Sequence, residues 1–125
     1  FPAEAEGIID CNHWYDPRNQ RAIALRKAVE AKGLFYTYEI FNTYTAMEWL
    51  ADAIEQAGSA DRAAITAALA KSQWSGHFMP YGPTRIVDGQ NTGAMPLMTQ
   101  VLKGDIRVIV PKEFADVEPV FPWKA

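Results

Sequence analysis

Hydrophobic positions recur at three- and four-residue steps most clearly over one stretch: Tyr44, Met47, Leu50, Ala51, Ile54 and Ala57, with Gly58 ending the pattern. That spacing places one apolar stripe along a helix and predicts it from about Phe41 to Ala57. Upstream, Ala22, Ile23, Leu25, Ala28 and Val29 line one side of an earlier helix, while Arg18, Arg21, Arg26, Lys27 and Glu30 take the rest. Asp16 suits its N-cap and Pro17 its first position, so it should run from there to about Ala31, with Gly33 as the left-handed stop. Ser59 and Asp61 can each cap a third helix, whose narrower stripe of Ile65, Ala68 and Leu69 should fade near Lys71 to Gln73.

The ends of the chain read differently. Gly7 to Cys11 is a short β-branched run that predicts a buried strand, followed by a polar and aromatic connector from Asn12 to Tyr15. From Trp74 onward, Gly76, Pro80, Gly82, Pro83, Gly89 and Gly93 interrupt any helical pattern, and Thr84 to Val87 reads as a strand. Leu97 to Leu102 and Ile106 to Val110 predict a hairpin about Lys103-Gly104-Asp105, with Ile106, Val108 and Val110 alternating against Arg107 and Ile109, and Pro111 closing it. Beyond Glu113 little periodicity remains, and Pro119, Pro122 and Trp123 predict a short helical turn and then extended chain.

Charge narrows the partners. Twelve Lys and Arg stand singly against fifteen Asp and Glu, a net charge of -3, which leaves no basic footprint for nucleic acid. No apolar run approaches the roughly 20 residues of a membrane helix. A 49% hydrophobic content in 125 residues is compatible with one domain or with part of a larger one. One cysteine, Cys11, cannot form an internal disulfide. The first residues contain neither an initiator Met nor a signal pattern, so the chain is expected to begin inside something longer, either just after a cleaved signal or within a polypeptide that has lost its front part.

Catalytic chemistry has little to stand on. Cys11 and His13 are two apart, and a thiol enzyme needs a thiolate beside an imidazole, but packing as a small buried hydrophobe is the more economical reading of this cysteine. Adding His77 would give three metal ligands without any spacing signature. The carboxylates read as caps and solvated faces, and the glycines as turns. What stands out is aromatic density in His13-Trp14-Tyr15 and from Phe35 to Tyr44, where rings with polar tips suit a pocket for a small, partly apolar ligand as well as they suit a core.

The run from Tyr44 through Ala53-Ile54-Glu55-Gln56-Ala57-Gly58-Ser59-Ala60-Asp61 resembles a segment near the end of the solute-binding proteins of branched-chain amino-acid type ABC transporters. The downstream order is similar too: a capped helix, the Gly82-Pro83-Thr84-Arg85-Ile86-Val87-Asp88-Gly89 bend, then Gln100-Val101 and a hairpin leading to Val110-Pro111-Lys112-Glu113-Phe114-Ala115. Upstream, Glu6-Gly7-Ile8-Ile9 and the aromatic connector ending in Pro17 take their places in the same order.

The resemblance implies an α/β chain that forms the C-terminal part of a two-lobed type I periplasmic binding protein. Residues 1–12 would end the second lobe, residues 13–96 would belong to the first, and residues 97–125 would return to the second, with hinge crossings near 13–16 and 94–97. It implies capture of an amino acid or related carboxylate or amide in an interlobe cleft, delivery to membrane permease subunits, no cofactor, and a periplasmic or lipid-anchored location. The cleft or hinge candidates are Trp14, Tyr15, Glu39, Phe41 and Tyr44. Phe41 would offer an apolar wall, and Glu39 would mark a solute with a cationic or hydroxyl group. A ligand-sensing domain of a receptor or regulator with the same lobes is the competing reading, and a small thiol enzyme using Cys11 and His13 a remote one. Holding part of each lobe, the chain alone should bind solute weakly and tend to self-associate through strand edges and apolar helix faces. Calorimetry showing micromolar binding by these 125 residues alone would contradict that expectation.

Overall fold

Asn19, rather than Asp16, opens the first helix. In the computed structural model, which describes residues 3–121, the Asn19 side chain accepts from the backbone N–H groups of Arg21 and Ala22 and caps α1 (Gln20–Glu30). Asp16 instead holds a preceding turn, its carboxylate accepting from Arg18 N at 2.9 Å. The helix starts three residues later than Pro17 because Asp16 is spent on Arg18. Gly33, at φ 71°, ends the segment as the glycine pattern predicts.

Before α1 lie a short 3-10 turn (Ala3–Ala5) and the strand β1 (Ile9–Asn12). After it come α2 (Tyr38–Ala57) and α3 (Arg62–Lys71), then β2 (Gln73–Trp74), β3 (Thr84–Val87), β4 (Gln90–Asn91), β5 (Leu97–Leu102) and β6 (Asp105–Val110). The architecture is mixed α/β, with two three-stranded antiparallel sheets in the orders β1-β5-β6 and β2-β3-β4 among the described residues. Gly58 in the left-handed region stops α2, and Asp61 caps α3 by accepting from Ala64 N at 3.0 Å.

Three expectations are corrected by the packing. The strand read as buried over Gly7–Cys11 is an edge strand, with Asp10 and Cys11 exposed and Asn12 included in the ladder. Helix α2 begins at Tyr38, three residues before the expected start at Phe41, so Glu39 lies inside its first turn and Phe41 one turn in. Its predicted apolar stripe faces outward: Tyr44, Met47, Leu50 and Ile54 are exposed, while Phe41, Thr45 and Ala53 form the buried side. The stripe is a true helical pattern, but α3 packs against the opposite face, so the periodicity located the helix without saying which neighbour it meets.

The hairpin forms as predicted but tighter. Lys103 and Gly104, both with positive φ, make a two-residue turn of the type that matches strand twist, and Asp105 joins β6. The Glu6 carboxylate accepts from the backbone N–H groups of both turn residues, tying the start of the described chain to it. The register shifts between Met98 and Thr99, which face Val110 and Val108 respectively. Ile109 is the extra residue, and it is buried beside Val108 while Val110 is exposed, against the simple alternation. After β6 the chain makes a turn in which Phe114 and Ala115 N–H groups both donate to Pro111 O. Pro122 and Trp123, read as extended chain, lie outside the described residues.

One core joins these parts: Trp14, Tyr15, Ala22, Tyr36, Phe41, Phe78, Leu97 and Val108. Fully buried Gln100 stitches the sheet to both flanks, donating to Gly7 O and Val120 O and accepting from Val120 N. Gly93 permits a close approach of two loops, since a Cβ there would stand 2.1 Å from Pro83 O. Leu97→Ala, at the fully buried start of β5, is expected to destabilise the fold by about 3 kcal/mol. Met47→Ala, on the outer face of α2, should stay within about 0.5 kcal/mol. Urea unfolding of both variants checks the contrast.

Candidate functional site

The five candidates separate into two groups. Trp14, Tyr15 and Phe41 are packed together with Tyr36. Trp14 meets Phe41 edge-on at 5.9 Å, Tyr15 meets Tyr36 edge-on at 5.6 Å, and Tyr15 meets Phe41 at 6.1 Å. Exposures of 6% for Trp14, 5% for Tyr15 and 0% for Phe41 leave their ring faces to one another. The connector after β1 therefore feeds the centre of the core, because Trp14 and Tyr15 turn inward there and Asp16 N–H is held by Phe78 O at 2.7 Å.

Glu39 and Tyr44 share another surface. An open concavity of about 740 Å³ runs along α2, lined by Glu39, Ile40, Thr43, Tyr44, Met47, Glu48 and Ala51. Tyr44, 45% exposed, stacks on Phe78 at 5.8 Å and also borders a second depression of about 420 Å³ formed with Ala24, Leu25 and Ala28 of α1. Arg21 lies 5.1 Å from the centre of the Phe78 ring and pairs with Glu48 at 2.6 Å, closing the rim on that side. The floor is apolar and the rim carries Glu39, Glu48 and Arg21. Among the described residues, every lining residue of the larger concavity comes from one helix, so a solute resting there would meet a single wall of them.

Glu39 is fully solvated, and its carboxyl sits below its ordinary pKa, first through the hydrogen bond from the Thr37 hydroxyl and then through its own backbone N–H. The Tyr38 hydroxyl is raised by its hydrogen bond to the same carboxylate. A negative charge in the first turn also agrees with the helix dipole. Thr37 itself makes no side-chain hydrogen bond to the helix backbone.

A third, smaller cavity escaped the sequence reading. A partly open depression of about 220 Å³ lies between the inner side of α2 and the loop from Trp74 to Thr84, with Thr45, Trp49, Trp74, His77, Tyr81 and His13 in its lining. His77 Nε2 lies 2.8 Å from Gly82 O, which fixes Nε2 as the protonated nitrogen and leaves Nδ1 as an acceptor. The Nδ1 atoms of His77 and His13 are buried without a partner. The signal was present as the aromatic and histidine density between Trp74 and Tyr81, but the glycines and prolines of that stretch speak more strongly of turns.

Cys11 is exposed on β1 rather than buried, and among the described residues no group of three or more His, Cys, Asp and Glu residues is placed to hold a metal. Cys11, His13 and His77 thus do not gather into one site. No helix of the described residues is long and apolar enough to cross a membrane.

Comparison with known families decides the assignment, because a family model described as periplasmic binding protein matches residues 2–105. The chain belongs to the periplasmic binding protein family. Membership in the periplasmic binding protein family implies a role in binding a small-molecule ligand and an extracytoplasmic location. No curated protein matches the chain. The mixed α/β architecture with two small antiparallel sheets agrees with a portion of the periplasmic binding protein fold.

Burial pushes the Tyr81 phenol up to about 12. An unfolded tyrosine loses its proton near pH 10. Folding must then retain a proton the unfolded chain has released, so Tyr81 contributes stability below about pH 10 that is lost as pH rises toward 12. Melting temperatures recorded from pH 9 to 12 should fall less steeply in Tyr81→Phe than in the parent, and phenolate absorbance should show one fewer late-titrating tyrosine.

Proposed function

We propose that this chain is the C-terminal part of the extracytoplasmic solute-binding component of an ABC importer. It would help capture a small amino acid or related carboxylate or amide between two lobes and present the closed form to membrane permease subunits. The observation that carries this reading is the match to the periplasmic binding protein family together with the one-walled concavity on α2. A binding protein that closes by rotation needs half-sites of this kind, open and apolar-floored on each lobe, so that closure supplies the second wall and expels water.

In this proposal residues 13–96 lie mainly in the first lobe, and the segments near 13–16 and 94–97 are the crossings. Glu39 and Tyr44 meet the solute: the Tyr44 ring offers apolar area with a polar tip, and the ionised Glu39 selects an ammonium or hydroxyl group. Trp14, Tyr15 and Phe41 supply the packed ground on which this face is mounted. No bond is made or broken.

Isothermal calorimetry of the intact two-lobed polypeptide against leucine, lysine, serine, benzoate and acetamide tests the reading. Glu39→Gln is expected to weaken lysine or serine about tenfold and to leave acetamide unchanged. Equal affinities for parent and variant across the panel would remove Glu39 from the site, and absence of binding to every compound would count against amino acids and their relatives as the solute class.

A further inference from the structure

Arg26 of α1 reaches three separate parts of the fold. Its Nη1 donates to the Tyr15 hydroxyl at 2.9 Å and to Asp105 Oδ2 at 3.1 Å, Nη2 donates to Asp105 Oδ1 at 3.0 Å, and Nε donates to Glu30 Oε1 at 2.8 Å. Asp105 is 79 residues away, at the first position of β6 beside the Lys103-Gly104 turn. Tyr15 belongs to the connector between β1 and α1 and is buried. One guanidinium thus joins the connector, the first long helix and the terminal hairpin. Burial works against its charge, but the hydrogen bonds with Asp105, Glu30 and Tyr15 outweigh that and raise its pKa.

Exposed ion pairs usually contribute little, because two long side chains must be held still in water. This one differs in geometry. Asp105 is met in two-pronged fashion, which fixes orientation, and the third partner is a buried phenol that does not move freely. Beside it lies an unsatisfied group: the Tyr36 hydroxyl is buried with no hydrogen-bond partner, and Tyr36 lines the same cavity of about 160 Å³ as Arg26, Glu30 and Asp105. A buried hydroxyl left without a partner is costly and calls for a reason.

We propose that Arg26 is the bolt of a latch that sets the angle between the hairpin and the rest of the chain, with Tyr36 as the group that favours release. With the bolt engaged, Asp105 and Tyr15 are held to α1 and the Tyr36 O–H has no acceptor. When Arg26 withdraws, the Glu30 and Asp105 carboxylates lose its N–H groups, Asp105 keeping the backbone N–H of Ile106, and the Tyr36 O–H gains an acceptor among them. The inference rests on reading residues 13–16 as an interlobe crossing. Its test involves no solute, so failure of the solute assignment and failure of the latch are told apart.

Hydrogen exchange of the full chain, read by mass spectrometry without added ligand, provides that test. Asp105→Asn should raise exchange at least tenfold in peptides covering residues 13–16 and 103–105. Arg107→Gln, which cuts the Arg107–Asp116 pair at 2.7 Å elsewhere on the hairpin, should leave residues 13–16 unchanged. Tyr36→Phe should act in the opposite direction and slow exchange at 13–16 by several-fold, because it removes the group that gains on release. Should Asp105→Asn unfold the chain, Tyr15→Phe, which deletes only the hydroxyl contact, must still raise exchange at 13–16. Unchanged exchange at 13–16 in the folded Asp105 or Tyr15 variant overturns the latch, and faster or unaltered exchange in Tyr36→Phe overturns the role given to its hydroxyl.

Discussion

The contact of Trp14, Tyr15, Tyr36 and Phe41 is the constraint on which the rest of this structure depends. Four large rings from the connector, the loop before α2 and α2 itself meet at edge-on or tilted angles, an arrangement that adds about 0.5–1.5 kcal/mol per pair beyond the area removed from water. Ala22 brings α1 to the same cluster, Phe78 brings the loop after β2, and Leu97 and Val108 bring the hairpin. Rings of this size cannot be displaced singly without opening a void. The segment between β1 and α1 is thus at once a connector with a buried centre and the place where the chain is proposed to change lobes. A crossing built in this way pivots on packed rings, so its movement is confined to a few discrete arrangements rather than a continuum.

The two sides of α2 show how much a sequence discloses. Spacing located the helix to within three residues of its start and at its observed end, because a stripe of apolar residues and a terminal glycine are local facts. Which side is buried is not local. Phe41, Thr45 and Ala53 face the neighbours present, and the more hydrophobic stripe is left open. The same reasoning explains the ends: the hairpin was legible from alternation and its turn residues, whereas the burial of Ile109 follows from a register shift that no single strand encodes. Of the site, Glu39 and Tyr44 are candidates by resemblance and not by spacing, and that both border one concavity follows from the earlier start of α2, which their own sequence does not mark. The histidine cavity did not follow, because its walls come from segments far apart in sequence whose own signals are those of turns.

Charge plays a different part on each side of the molecule. On the α2 face, Glu39, Glu48 and Arg21 border an apolar floor and remain partly in water, where their charges carry little desolvation cost. Around Arg26 the charges are knotted together and half-withdrawn from solvent, which suits holding parts in place more than recognising anything from outside.

Gln100 carries a consequence for the order in which this structure can assemble. Its amide grips Gly7 across 93 residues of sequence and Val120 across only 20. The entropy lost in closing a loop grows with its length, so the hairpin and the tail that follows it can settle on Gln100 well before β1 arrives. β1 is then the last strand laid on its sheet, an addition to a surface that already exists, and Gly7 completes a socket whose other half has been waiting. A nascent chain would accordingly leave β1 without its partner β5 until nearly all of the remaining residues shown here had been made.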